Sequence, residues 1–177
     1  MSRQLDSTGL KRLHRTWRRR STGRVALLLD RLQGPFNVGS ILRTSAAYGV
    51  DHIWLVEGTV DPGDAKVAKT AMGSGRFVPW TWCPTVEKAA DAARAEGYRV
   101  VGLELADTAV PLPDLDVGPA TCLAIGHEDR GLAPAALAAC DAVTFIPQLG
   151  RIGSLNVATA TAIALYDVRR REWPVSG

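Results

Sequence analysis

The sequence predicts an α/β fold, a mostly parallel sheet flanked by helices. Continuous apolar runs such as Val25–Leu29 mark strands buried on both faces. Helical patterns alternate with these runs, one strand and helix about every twenty-five residues. Gly, Pro and cap-forming residues punctuate the junctions. At 177 residues and 46% hydrophobic content, the chain fits one domain with a substantial core.

In chain order, residues 1–24 read as a basic helix or partly ordered arm, and Val25–Leu29 as the first strand. Gly34-Pro35 turns the chain, Asn37 can cap a helix, and Gly49 can end it. On that helix Val38, Ile41, Leu42 and Ser45 share one face, and Ser40, Arg43, Thr44 and Ala47 the opposite one. His52–Val56 is a strand, Pro62–Met72 a helix with Lys66 and Lys69 outward, and Phe77–Trp82 a strand. Thr85–Glu96 is an alanine-rich helix stopped by Gly97, and Tyr98–Leu105 a long apolar strand. A Pro/Asp-rich loop runs to Pro119, followed by a strand at Thr121–Ile125, a short helix at Pro134–Ala139 and a strand at Ala142–Ile146. The last element is a helix starting at or near Ser154, with Ser154 as its N-cap. Trp54, Trp80 and Trp82 are expected to pack in the core or an interface.

Charge is unevenly distributed. Residues 1–24 hold eight Lys/Arg against one Asp, and residues 168–177 three Arg against one Glu. Residues 25–167 hold ten basic and sixteen acidic residues, so an acidic body sits between basic ends. That split favours a polyanionic partner gripped by the ends. Arg12, Arg15, Arg18, Arg19 and Arg20, interleaved with His14 and Trp17, suit phosphates and a stacked base. A solvated, frayed terminus or an organelle transit peptide would share this composition. The three cysteines form no close pair, which fits a reducing cytoplasm, and no apolar run is long enough to span a membrane.

Several chemistries are excluded by pattern. Gly73-Ser74-Gly75 lacks the third glycine of a dinucleotide fingerprint and precedes a strand rather than following one. No P-loop or HExxH pattern occurs, and His14, His52 and His127 are scattered, which argues against a metal site. Ser154, in GSLNV, does not match a nucleophile elbow. What remains is three strand ends, each leading into a glycine-containing loop with polar residues: Asn37 and Arg43, Gly126 and Glu128, Ser154 and Asn156. Taken singly, Arg43 and Glu128 read as solvated charges. An open parallel sheet presents its ligand crevice at such strand ends.

The stretches NVGSILRTSAAYGV, LAIGHEDRGL and IPQLGRIGSLNVATATAIALYD resemble the three motifs of the SpoU/TrmH family of SPOUT-class RNA 2′-O-ribose methyltransferases. The resemblance covers about residues 25–167, with the motifs in order. It implies a C-terminal trefoil knot, a homodimer, and S-adenosylmethionine held by backbone near Leu103, Gly126, Ile146 and Leu155. It further implies Arg43 as the key catalytic residue, with Asn37, Glu128, Ser154 and Asn156 around it. Departures are mild: His127-Glu128-Asp129 stands where Asn-Glu-Gly is frequent, and IPQLG where IPMxG is frequent.

The resulting expectation is a cytoplasmic RNA methyltransferase with a basic arm at 1–24, a methyltransferase domain at 25–168 and a basic tail at 169–177. Many rRNA-modifying relatives carry a separate N-terminal domain, so a short basic arm favours tRNA. The type that methylates the D-loop guanosine of tRNA, which has such an arm, leads; wobble-position tRNA or rRNA are alternatives. A knot-fold protein that binds RNA without catalysis is the alternative from another class.

Overall fold

The computed structural model describes residues 3–173, so residues 174–177 of the expected tail lie outside the described residues. The elements are α1 (Ser7–Arg18), β1 (Arg24–Leu29), α2 (Pro35–Tyr48), β2 (Ile53–Val56) and α3 (Ala65–Ala71). A 3-10 turn at Ser74–Phe77 precedes β3 (Trp80–Cys83), α4 (Val86–Ala95), β4 (Arg99–Leu103) and β5 (Val110–Pro111). A second 3-10 turn at Leu112–Asp114 leads to β6 (Ala120–Ile125), α5 (Pro134–Ala138), β7 (Ala142–Phe145) and α6 (Val157–Arg170).

The strands form one sheet in the order β3-β2-β1-β6-β4-β7-β5, and every neighbouring pair is parallel. The continuous apolar character of β1 is explained by its central place. Val25, Leu27 and Leu29 face one core with α2, α3 and α6, while Ala26 and Leu28 face a second core with α4. All five are fully buried, and truncating one such leucine to alanine costs about 2–5 kcal/mol. Because the strands are parallel, the loops after β1, β4, β6 and β7 leave the same end of the sheet, side by side.

The core stripe of α2 lies where expected, with Val38, Ile41, Leu42 and Ser45 buried and Arg43 exposed. Gly49 ends the helix in the left-handed conformation at φ 62°. Two expected caps are corrected. Helix α2 begins at Pro35 with Gly34 as its N-cap, so Asn37 is the third helical residue, its amide free to bond elsewhere. Helix α6 is capped by Asn156, whose side chain accepts from Ala158 N and Thr159 N; Ser154 caps nothing. Ser154 lies two residues too early for its hydroxyl to reach the first free N–H groups.

Phe77 is not in a strand: the chain makes a 3-10 turn through it, and Pro79 delays β3 to Trp80. Trp54 is core, but Trp80 and Trp82 are 38% and 40% exposed because β3 is an edge strand. The expected strand Tyr98–Leu105 shortens to Arg99–Leu103, and the expected helix Pro62–Met72 to Ala65–Ala71 with Asp64 as cap.

The basic ends behave differently from each other. Helix α1 has no buried residue, is capped by Asp6, and is docked on the stretch just after α6 by an edge-on Trp17–Trp173 contact at 5.0 Å. Arg12, Arg15, Arg18, Arg19 and Arg20 all face solvent, with Arg20 over the Trp17 ring at 4.7 Å. The C-terminal arginines instead serve the fold, which corrects the expected grip at both ends. Arg169 belongs to α6 and is 5% exposed. It donates to the carbonyls of Gly23, Tyr48 and Gly49 and pairs with Glu172 at 3.0 Å. Arg171 donates to the carbonyls of Leu112 and Leu115 and pairs with Asp167.

Candidate functional site

The loops that leave the C-terminal ends of β4, β6 and β7 enclose a cleft of about 470 Å³. Leu103 closes β4, Gly126 follows β6, Ile146 follows β7, and Leu155 precedes α6; all four line the cleft. Glu128 and Ser154 also line it. The lining mixes apolar residues such as Leu103, Ile125 and Ile146 with the polar and charged residues Glu104, Glu128, Asp129, Arg130 and Ser154, a mixture that suits a flat heterocycle with polar edges.

The β6 loop is the tightest part. His127 and Gly131 exchange backbone hydrogen bonds at 3.1 and 2.9 Å, which folds residues 127–131 back on themselves. A Cβ on Gly126 would lie 2.3 Å from the Gly131 carbonyl carbon, so the backbones meet where no side chain fits. Gly131 holds φ 63°, a conformation that favours glycine. Glu104, just after β4, accepts from Leu132 N at 2.8 Å and fastens this loop to the neighbouring strand end. Glu104 escaped the sequence reading because it belongs to none of the three motifs; its only signal was its place at a strand end.

A polar network joins the three motif loops beside the cleft. Glu128 accepts from Gly34 N at 2.7 Å, Gln33 N at 3.1 Å and Asn37 Nδ2 at 3.2 Å. Asn37 Oδ1 in turn accepts from Asn156 Nδ2 at 3.0 Å. Burial by itself would push the Glu128 carboxyl up. The hydrogen bonds from its own loop, Asn37, Gly34 and Gln33 outweigh burial and hold it below the usual carboxylate range. Glu128 is therefore an anion at neutral pH, and its charge is committed to holding the β1 and β6 loops together.

Arg43 stands apart from this network. It is exposed and donates to the Met72 thioether at the end of α3. Six residues separate it from Asn37, roughly 9 Å along the helix axis. The structure thus brings Asn37, Glu128 and Asn156 together, sets Ser154 on the cleft wall, and leaves Arg43 on the adjoining surface. Arg12, Arg15 and Arg18 lie on α1, and Arg19 and Arg20 on the turn that follows it. Among the described residues no group of His, Cys, Asp and Glu is arranged to hold a metal ion, and no helix is long and apolar enough to cross a membrane.

Comparison with known proteins is consistent over the whole body. The model of the SpoU rRNA Methylase family matches residues 24–166. A 23S rRNA (guanosine(2553)-2′-O)-methyltransferase of Bacillus subtilis is 34% identical over 149 residues, 84% of this chain and 59% of that protein. A tRNA (guanosine(18)-2′-O)-methyltransferase of Escherichia coli is 31% identical over 149 residues, 83% of this chain and 63% of its own length. The crystal structure of an AdoMet-bound rRNA methyltransferase from Sinorhizobium meliloti superposes with a TM-score of 0.80 at 34% identity. That superposition covers 86% of this chain and 58% of the other. The chain thus spans about three-fifths of the length of these relatives.

Proposed function

Since the chain belongs to the SpoU rRNA methylase family, we propose that it methylates the 2′-oxygen of a ribose in RNA, with S-adenosylmethionine as methyl donor. The observation that carries this reading is the convergence of three motif loops. The Glu128–Asn37–Asn156 network sits against a cleft lined by Leu103, Gly126, Ile146 and Leu155. The cleft fits the cofactor in kind, since apolar walls suit the adenine while loop N–H and C=O groups suit its edges. We also assign to this chain the family's C-terminal knot, in keeping with α6 returning to pack on α2 after β7 has joined the far half of the sheet.

When bound, the cofactor supplies an electrophilic methyl on a sulfonium, so the protein must position the hydroxyl and help its proton leave. Ser154 and Asn156 shape the methyl site, while Asn37 and Glu128 fix the loops that carry it. Arg43 holds the target phosphate and stabilises the developing alkoxide electrostatically. A guanidinium holds its protons too firmly to act as a base, so the proton leaves through phosphate or water. The exposed, singly bonded position of Arg43 leaves it free to swing to an RNA phosphate.

The target we favour is a D-loop guanosine of tRNA, supported by the exposed arginines of α1. The similarity to a 23S rRNA guanosine methyltransferase sustains rRNA as the second reading. A homodimer is supported by apolar side chains left exposed, Leu10 and Leu13 on α1 and Ile163 and Tyr166 on α6. The test is methylation of total tRNA and of rRNA with labelled cofactor, followed by mapping of the modified ribose. Arg43→Ala should abolish methylation and leave S-adenosylhomocysteine affinity unchanged. No binding of S-adenosylhomocysteine by the unmodified protein at millimolar concentration would favour a non-catalytic RNA-binding protein instead.

A further inference from the structure

One surface of the body departs from its acidic character. Between Ala65 and Val86 the sequence has Lys66, Lys69 and Arg76 and no acidic residue, although residues 25–167 together are net acidic. All three side chains are exposed, and the ion pairs of the described residues lie elsewhere. The same stretch exposes three aromatic rings, Phe77 at 65%, Trp80 at 38% and Trp82 at 40%. Trp80 pairs in register with Ile53 and Trp82 with Leu55, so both indoles stand on the α2–α3 face of the sheet. They contact each other edge-on at 6.1 Å, and Arg76 lies over the Phe77 ring at 4.7 Å.

We infer that this outer edge of the sheet is a second RNA-binding surface, where unpaired bases of the substrate stack on Trp80, Trp82 and Phe77 while Lys66, Lys69 and Arg76 hold the flanking phosphates. The inference rests on the RNA reading above and adds to it where on the body the substrate is held. Three observations select RNA as the occupant. Cations grouped with exposed aromatic rings are the chemistry of single-stranded nucleic acid sites, and here they stand out from an acidic body. Strand β3 has only four residues and is bracketed by Pro79 and Pro84, which stops another strand from extending along its open edge. A second copy joined edge to edge is therefore disfavoured. The surface is also continuous with Arg43, which touches Met72; the 3-10 turn at Ser74–Phe77 follows and packs on α2. RNA whose target phosphate meets Arg43 has this surface directly in its path.

The test is Trp80→Ala/Trp82→Ala, both sites exposed and so tolerant of truncation, beside Trp80→Phe/Trp82→Phe, which keeps aromatic faces. Binding of fluorescein-labelled tRNA is measured by anisotropy, S-adenosylhomocysteine binding by calorimetry, and mass by sedimentation. The alanine pair is expected to weaken tRNA binding at least about tenfold, with cofactor-product affinity and mass unchanged, while the phenylalanine pair stays near the unmodified protein. Unchanged tRNA affinity in the alanine pair would overturn the inference, as would a change in mass, which would make this face a protein interface. If the unmodified protein bound neither tRNA nor rRNA, the functional reading itself would fall and take this inference with it. If it bound only rRNA, the same variants would be scored on rRNA by the same criteria.

Discussion

Asn156 Nδ2 donates to Asn37 Oδ1 at 3.0 Å across 119 residues of chain. The other end of each amide is also engaged: Asn156 Oδ1 caps α6, and Asn37 Nδ2 reaches Glu128. Each amide's orientation is thereby fixed by both of its ends, and the cap of the last helix is tied to the first motif loop.

Asn156→Ala should lose the cap and the cross-link together, at a cost of about 1–2 kcal/mol. That corresponds to a fall in Tm of roughly 2–8 °C for a domain of this size. Ser154→Ala should leave Tm unchanged, since Ser154 caps nothing. Equal loss in both variants, read by thermal denaturation, would contradict the placement of the cap.

Glu128→Gln should destabilise the protein at neutral pH, because a neutral amide cannot accept from Gln33, Gly34 and Asn37 as a carboxylate does. The folded carboxyl titrates below its ordinary value. Its stabilisation is therefore fully present above about pH 4.3 and is lost as pH falls through the lower folded value. The stability gap between Glu128→Gln and the unmodified protein should narrow only in acid. A gap that is constant from pH 7 to pH 3 would show that the charge is not the stabilising feature.

Gly126→Ala should cost about 1–3 kcal/mol through the clash with the Gly131 backbone, and should weaken S-adenosylhomocysteine binding by distorting the β6 loop. Gly153→Ala, where a Cβ meets nothing within 4 Å, is the control and should keep its Tm. Calorimetry of both variants separates loop geometry from a general effect of substitution near the cleft.

Arg169→Ala should destabilise by about 3 kcal/mol or more, since it leaves Glu172 and three carbonyls without their buried donor. Arg19→Ala on the exposed arm should change stability by less than about 0.5 kcal/mol. Urea denaturation of the two variants, at the same pH and salt, checks the contrast.

Replacing Arg12, Arg15, Arg18, Arg19 and Arg20 together with Gln keeps Trp17 on Trp173 and removes only charge. RNA affinity should fall, and the dependence of log K on log salt should flatten by about 0.7–0.9 per lost phosphate contact. An unchanged slope would remove the arm from the RNA interface.

Much of this was legible in the sequence. The parallel sheet followed from apolar runs such as Val25–Leu29, because a strand covered on both faces has no polar side to alternate with. The core stripe of α2 followed from helical spacing, and the loops of interest from glycines at strand ends. Tertiary structure alone decided the partners. Nothing local distinguishes Arg169, buried under three carbonyls, from Arg19 in solvent, since both sit in arginine runs and only packing separates them. Asn37 and Ser154 each read as caps, and neither is, because a cap is set by where the backbone turns. Glu128 meets Gly34 because strands β1 and β6 are neighbours in space. Composition and period determine which residues are buried and in which element; long-range hydrogen bonds depend on sheet order, which local sequence does not encode.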